Sequence, residues 1–188
     1  MKKTVIAIVL TIAACLCVFG TTFAWLMDST GEVVNTFTVG DVDIELTESE
    51  NLDLKLVPGK TITKDPKVTV VAESEHCWVF VKIEKANNVD NFIEYTIDSG
   101  WTALAENDGV YYREVSAADA AAGKEYAIIA NNQVEVKEDV TKAQLDAVAA
   151  AVATDATKAP SLTFTAYAVQ YDAEDIKDAT TAWGIVNP

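Results

Sequence analysis

Residues 41–47 read DVDIELT, and their strict alternation of apolar and acidic side chains decides the class of fold. Side chains of a β-strand point to opposite faces in turn, so Val42, Ile44 and Leu46 share one face and the carboxylates share the other. This pattern predicts a half-buried antiparallel strand. The same carboxylates could be interpreted as calcium ligands. A calcium-binding loop also needs turns and carbonyl ligands, so we favour a strand face that is exposed to solvent.

Further strand patterns follow along the chain with turn residues between them. They cover residues 67–72, 77–84, 92–98, 110–115 and 162–171, with two short strands inside 126–136 around Asn131 and Asn132. Residues 77–84 begin with apolar side chains on both faces, which predicts a central position in a sheet. Residues 162–171, LTFTAYAVQY, are the longest such run and are also apolar on both sides.

Helix patterns are few and short. Residues 141–144 read TKAQ, the T-x-x-Q form of a capping box, and Leu145, Val148 and Val152 follow at helical spacing. Residues 116–122 predict a short alanine-rich turn ended by Gly123. Residues 172–183 predict a helix with a stripe of Ile176, Ala179 and Trp183. Many short strands with few helices predict a mostly-β fold, an antiparallel β-sandwich or jelly roll with short peripheral helices, over a single domain at 41–188.

The first 24 residues have the order of a secretory signal peptide. A basic start with Lys2 and Lys3 precedes an uncharged apolar stretch at 4–19 and small residues at 20–24. That order predicts export and removal of residues 1–24, with cleavage between Ala24 and Trp25. Membrane contact would then be limited to the signal peptide before cleavage, with signal peptidase as a partner during export.

Two alternatives to cleavage after Ala24 stay open. Residues 4–27 are long enough to span a bilayer as an uncleaved anchor, although the polar residues at 20–22 weaken that interpretation. Residues 12–15 read IAAC and match a lipobox, in which Cys15 would be lipidated. The residues after Cys15 are apolar, whereas lipoproteins usually continue into a polar tether, so cleavage is favoured.

Cleavage would leave a chain that begins with an apolar, β-prone segment, residues 25–40. Its apolar side chains are Trp25, Leu26, Met27, Val33, Val34 and Phe37. A free strand of this kind exposes apolar area and unpaired backbone groups, so we predict that it acts as a donor strand for a groove on another copy. Contacts of this head-to-tail type need not close and allow fibres to grow. The alternative is that residues 33–39 fold back as the domain's own first strand and give a monomer.

The charge and cysteine content exclude several classes of function. A formal charge of −15 argues against nucleic acid and anionic lipid as partners, because both need Lys and Arg at the interface. Removal of the signal peptide takes Cys15 and Cys17 away and leaves only Cys77, so no intrachain disulfide is possible. We expect Cys77 to be a buried apolar residue.

No motif for catalysis or metal binding is present. The chain has one histidine, His76, whereas a zinc protease of the H-E-x-x-H type needs two. His76 and Cys77 are adjacent in a strand and therefore face opposite sides. No nucleophile or phosphate-loop motif appears, so we predict no catalytic residues, no metal site and no cofactor. Trp78 and Trp101 are candidate sugar-contacting residues, with packing as the plainer explanation.

Several stretches in order resemble a known family. They are GTTFAWLMDSTG, NTFTVGDVDIELTE, LVPGKTITKDPKVTV, VFVKIE, GWTAL, VYYREV and LTFTAYAVQ. Together they are similar to the TasA/camelysin family of Gram-positive bacteria, whose signal peptides are removed by a SipW-type peptidase. The resemblance implies a jelly-roll domain exported to the cell surface and biofilm matrix. TasA-like members form fibres by donor-strand exchange, and camelysin-like members are described as metal-dependent, casein-cleaving proteases.

We therefore expect a secreted structural protein of the cell surface or biofilm matrix that assembles with itself or with related matrix subunits. Two alternatives remain, a camelysin-like secreted metalloendopeptidase and a monomeric surface adhesion module. The absence of a zinc motif argues against an enzyme.

Overall fold

The structure is a computed structural model that describes residues 42–49, 55–173 and 176–187. Its strands are β1 (Ile44–Thr47), β2 (Thr61–Thr63), β3 (Lys67–Val70), β4 (Cys77–Ala86), β5 (Ile93–Glu94), β6 (Thr102–Ala103), β7 (Val110–Val115), β8 (Glu125–Ala127), β9 (Gln133–Val136) and β10 (Ser161–Gln170). Its α-helices are α1 (Ala117–Ala121), α2 (Lys142–Thr154) and α3 (Ala179–Val186), with one-turn 3-10 helices at Val89–Asn91, Ala130–Asn132 and Ala156–Lys158. The predicted mostly-β class is confirmed.

The strands form three antiparallel sheets. The central sheet has the order β10-β4-β7-β6, and the two smaller sheets have the orders β1-β3-β8 and β2-β9-β5. β4 lies between β10 and β7, so its predicted central position is confirmed. β10 pairs with β4 over its whole length, from Ser161 opposite Ala86 to Gln170 opposite Cys77. The finer sandwich or jelly-roll connectivity stays a prediction, as does the extent of the single domain.

The alternating stretch at 42–47 behaves as predicted. Val42 and Ile44 are buried and Leu46 is half-buried, whereas Asp43 and Glu45 are exposed. β1 pairs with β3 so that Ile44 lies opposite Val70. One apolar face therefore covers the core and the acidic face meets water.

The central sheet has a hydrophobic core on each of its faces. The main core joins one face of β4 and β10 to the buried side chains of both smaller sheets. The second core joins the other face to α3, with Phe80 from β4, Val169 from β10 and Trp183 from α3. This arrangement explains why the sequences of β4 and β10 are apolar on both sides.

The helix predictions are confirmed in two cases and corrected in one. Thr141 and Gln144 form a capping box at the start of α2, and Ser116 accepts the N–H of Asp119 at the start of α1. The helix predicted at 172–183 begins only at Ala179 and continues to Val186. The prediction was wrong because Asp178 is the N-cap: its carboxylate accepts the N–H of Thr181 at 2.8 Å, which starts the helix there.

The strand predicted at 92–98 is also too long. Only Ile93 and Glu94 pair with β9, and Ile97 forms an isolated bridge to Ile129. The neighbouring chain cannot continue the ladder, because Asn131 and Asn132 have φ values of 56° and 54° and turn it away. Those asparagines separate β8 from β9, so the two short strands predicted within 126–136 are confirmed.

Gly109 fixes the turn that leads into β7. It has a φ of +76°, and a Cβ atom there would lie 2.6 Å from the Ile83 carbonyl oxygen. The Ile83 N–H donates to the Gly109 carbonyl at 2.8 Å, so the two backbones touch at this point. Only glycine combines this backbone conformation with such a close approach.

Candidate assembly surface

The predicted cleavage and assembly residues lie outside the described residues. They are Ala24, Trp25, Leu26, Met27, Val33, Val34 and Phe37. Their cleavage, pairing and contacts therefore stay predictions. The described part of the chain bears on the other side of that interaction, because a donor strand would have to pair with one of its sheets.

β10 presents the longest strand edge of the described residues. It has ten residues and pairs with β4 on one side, and no described strand pairs with its other side. β1 lies close to β10, although the two belong to different sheets. The remaining edge strands, namely β1, β2, β5, β6 and β8, have two to four residues each.

The side chains of β10 are apolar and mostly buried. Leu162, Phe164, Ala166 and Ala168 belong to the main core, and Val169 belongs to the second core. An added strand at this edge would therefore lie beside well-packed neighbours on both faces. A rigid edge of this kind loses little conformational entropy when a partner strand pairs with it.

A buried ion pair lies next to β10. Lys64 follows β2 and is only 1% exposed, and its Nζ donates to the two carboxylate oxygens of Glu48 at 2.7 and 2.9 Å. The same ammonium lies 5.4 Å from the ring centroid of Phe164 in β10. Lys64 thereby connects Glu48, the residue that follows β1, to Phe164 in β10.

Sequence reasoning missed Lys64, although a signal was present. Ile62, Val68 and Val70 are buried at even positions along this stretch, and Lys64 falls on the same even positions. A residue on the inward face of an alternating stretch is buried whatever its type. Its charge then requires a partner, which Glu48 supplies.

His76 packs as part of an aromatic stack. Its ring lies parallel to Tyr171 at a centroid distance of 3.9 Å, and Tyr171 in turn stacks on Trp78 at 5.2 Å. Nε2 of His76 lies 2.9 Å from Oε1 of Glu114. The rings of His76 and Trp78 thus cover Tyr171. The side chain of His76 contacts the carboxylate of Glu114 and the ring of Tyr171.

The two candidate sugar-contacting tryptophans are occupied by packing. Trp101 is buried, and its Nε1 donates to the Ala127 carbonyl at 2.7 Å. Trp78 is half-buried between Tyr171 and the edge of Tyr112. Trp101 therefore has no open ring face for a sugar, and one face of Trp78 is already covered.

Cys77 lies in β4 with its side chain in the main core, where burial raises its pKa to about 12. We predict that iodoacetamide does not label the native protein at pH 8, because only about one thiol in ten thousand is ionised at four units below its pKa. Mass spectrometry after a timed pulse measures the labelling. The same protein in concentrated urea serves as the control and should be labelled within minutes. Fast labelling of the native chain would show that Cys77 is accessible.

The described residues do not supply a metal centre or a membrane-spanning helix. No three His, Cys, Asp or Glu side chains in those ranges converge on one point. None of the helices in the described part of the chain is both long and apolar enough to cross a bilayer.

Comparison with known proteins gives one result. The family described as camelysin metallo-endopeptidase matches residues 1–91. Over these residues, slightly less than half of the chain, the sequence is similar to the TasA/camelysin family. A search of curated proteins and a search of solved structures each gave no match. The family match includes all of β1, β2, β3 and β4, and with them the Lys64–Glu48 ion pair.

The family description names a metallo-endopeptidase, so we tested whether the described residues of this chain suit a metal ion. Nε2 of His76 is taken up by Glu114, and Cys77 lies in the core on the opposite face. The residues that a metal would need are therefore not brought together in the described ranges. No step of a metal-dependent hydrolysis is derived from them.

Proposed function

We propose that this chain is a secreted, non-catalytic structural protein of the cell surface or biofilm matrix. It assembles with other copies, or with related matrix subunits, when residues 25–40 of one subunit add as a strand to a sheet of the next. Signal peptidase exposes the donor by cutting between Ala24 and Trp25. Similarity to the TasA/camelysin family over residues 1–91 supports export and a surface location.

The apolar, β-prone segment at residues 25–40 is the observation that carries this proposal, because a strand of this kind gains most when it pairs with the sheet of another copy. Main-chain hydrogen bonds along the paired strands would supply affinity, and pockets for alternate side chains would fix the register. The apolar donor residues on one face would each contribute about 1.5–3 kcal/mol when buried.

Net charge sets the conditions for assembly. Cleavage removes Lys2 and Lys3 from a chain with a formal charge of −15, so each assembling copy would carry −17, and two copies repel each other at low ionic strength. Salt at 0.15 M screens charges beyond about 8 Å and leaves the short-range strand contact intact. An apolar donor strand therefore suits an acidic subunit, because its attraction does not depend on charge.

We predict that Val34→Asp abolishes fibre formation by the secreted protein. A carboxylate in the donor strand would have to be desolvated in the groove, at a cost of several kcal/mol that cancels the burial of the apolar side chains. Electron microscopy detects the fibres, and sedimentation velocity measures the fraction of monomer. A bulky domain fused before Trp25 should have the same effect by blocking insertion.

Thr30→Asp is the matched control, since it adds the same charge to the same segment at a polar position. It should assemble like the unaltered chain. Circular dichroism and thermal unfolding establish that each variant is folded. Undiminished fibres from Val34→Asp or from the blocked fusion would contradict donor-strand addition, and so would an unaltered chain that stays monomeric at high concentration.

A further inference from the structure

A cavity of about 510 Å³ lies beside β5 and opens to solvent. It is bounded by the end of β4, by β5 and the residues that follow it, by the start of β7 and by the residue after β9. Its size falls in the range of ligand-binding clefts in proteins, about 300–1,000 Å³. The chemistry of its lining decides which class of ligand it can hold.

The more buried residues of this lining are apolar or aromatic. Ile93 of β5 is buried, and Ile97 is half-buried. Tyr95 and Tyr111 are also half-buried, and both pack against the main core. The remaining lining residues are polar and, apart from Lys137, exposed. The cavity therefore offers apolar contact and hydrogen-bonding groups side by side.

The charges of the lining balance one another. It contains two lysines, Lys85 and Lys137, and two acidic residues, Asp90 and Glu94. Lys85 Nζ lies 2.9 Å from Asp90 Oδ1, and Lys137 Nζ donates to the Asp90 carbonyl oxygen. The cavity is thus locally neutral in a chain with a formal charge of −15. An anionic ligand would have to compete with Asp90 for these lysines, and a cationic ligand would meet both ammonium groups.

A second hollow of about 310 Å³ adjoins the cavity. Residues 94–96 line both of them, so one extended ligand can occupy the two together. The second hollow adds Thr61, Asn131 and Gln133, whose hydroxyl and amide groups both donate and accept hydrogen bonds. The described residues that line it include no Lys or Arg, so an anionic ligand is disfavoured there as well.

We propose that the cavity and the second hollow form a binding cleft for an uncharged glycan chain. Sugar rings combine apolar C–H faces with a rim of hydroxyl groups, so they match a lining in which isoleucine and tyrosine lie next to hydroxyl, amide and charged groups. A wholly apolar ligand would cover those polar groups without pairing them. This inference does not depend on donor-strand assembly, because a single copy carries the whole cleft.

The test uses Ile93 and Ile97 as reporters inside the cavity. The full secreted chain is labelled with ¹³C in its isoleucine methyl groups, and the neutral hexamers cellohexaose, maltohexaose and N-acetylchitohexaose are added in turn. We expect at least one of them to shift the methyl signals of Ile93 and Ile97 saturably and to leave that of Ile185 in α3 unchanged. The anionic hexamer of galacturonate and the cationic hexamer of glucosamine should bind at least about tenfold more weakly.

Thr96→Arg tests the place of binding, because Thr96 is exposed and lines both hollows, so that a long side chain there fills the cleft. It should weaken glycan binding at least about tenfold. Thr102→Arg is the matched control, since it adds the same side chain at an exposed threonine of β6 that lines neither hollow. It should bind as the unaltered chain does. Circular dichroism establishes that both variants are folded.

Three outcomes overturn the proposal. The first is the absence of a saturable shift with all three neutral hexamers. The second is binding in another place, shown by a shift at Ile185 without shifts at Ile93 and Ile97, or by undiminished binding to Thr96→Arg. The third is equal or tighter binding of a charged hexamer, which would show that the cleft does not select an uncharged ligand.

Discussion

Lys64→Ala is expected to lower the free energy of unfolding by about 3–5 kcal/mol. Lys64 is buried, and both Glu48 oxygens accept from its ammonium. Removal of the lysine leaves the Glu48 carboxylate without its partner in a partly enclosed place and opens a cavity beside Phe164. Urea unfolding followed by circular dichroism measures the change as a lower midpoint at unchanged slope.

Lys67→Ala is the matched control for this prediction. Lys67 also pairs with a glutamate, Glu125 at 3.0 Å, but both side chains reach solvent. Its loss should cost at most about 1 kcal/mol. The double variant Lys64→Met with Glu48→Leu should recover most of the lost stability, because it leaves no unpaired charge in the interior. Equal losses of unfolding free energy in Lys64→Ala and Lys67→Ala would show that the burial of Lys64 does not contribute to stability.

Much of the fold follows from local patterns that the sequence displays directly. The alternation at 42–47, the two-sided apolar run of β10 and the capping box at Thr141 each depend on neighbouring residues alone. Because the physical causes are local, the elements were predicted in the right places. β7 matches its predicted bounds, Val110–Val115, without any change.

The errors arose where distant residues decide the outcome. The 92–98 strand is short because its partner turns away at Asn131, a position that is far along the chain and near only in space. α3 starts late because the carboxylate of Asp178 accepts the N–H of Thr181 and caps the helix there. The prediction gave more weight to the apolar stripe of Ile176 and Trp183 than to this cap. Capping at Asp178 was therefore the stronger signal.

The functional predictions divide in the same way. The similarity to the TasA/camelysin family over residues 1–91 was predicted from ordered stretches that a sequence displays. The burial of Lys64 beside Glu48 was not predicted, because it depends on the packing of several strands together.

Trp183→Ala is expected to cost about 3–5 kcal/mol of stability. The indole is buried in the second core, at ring-centroid distances of 5.3 Å from Phe80 and 5.2 Å from Tyr167. Its partners on α3 are two alanines and a valine, which are too small to hold the helix on the sheet by themselves. Urea unfolding measures the loss, and amide hydrogen exchange locates it by the protection of residues 179–186.

Ile185→Ala is the matched control, since Ile185 lies in the same helix and is 41% exposed. It should change the stability by no more than about 0.5 kcal/mol. If Trp183 alone holds α3 against the sheet, Trp183→Ala should remove the amide protection of the helix. Most of the protection in β4 and β10 should remain, because the main core on their other face is unchanged. Equal losses from the two variants would contradict this, as would a helix that keeps its protection without the indole.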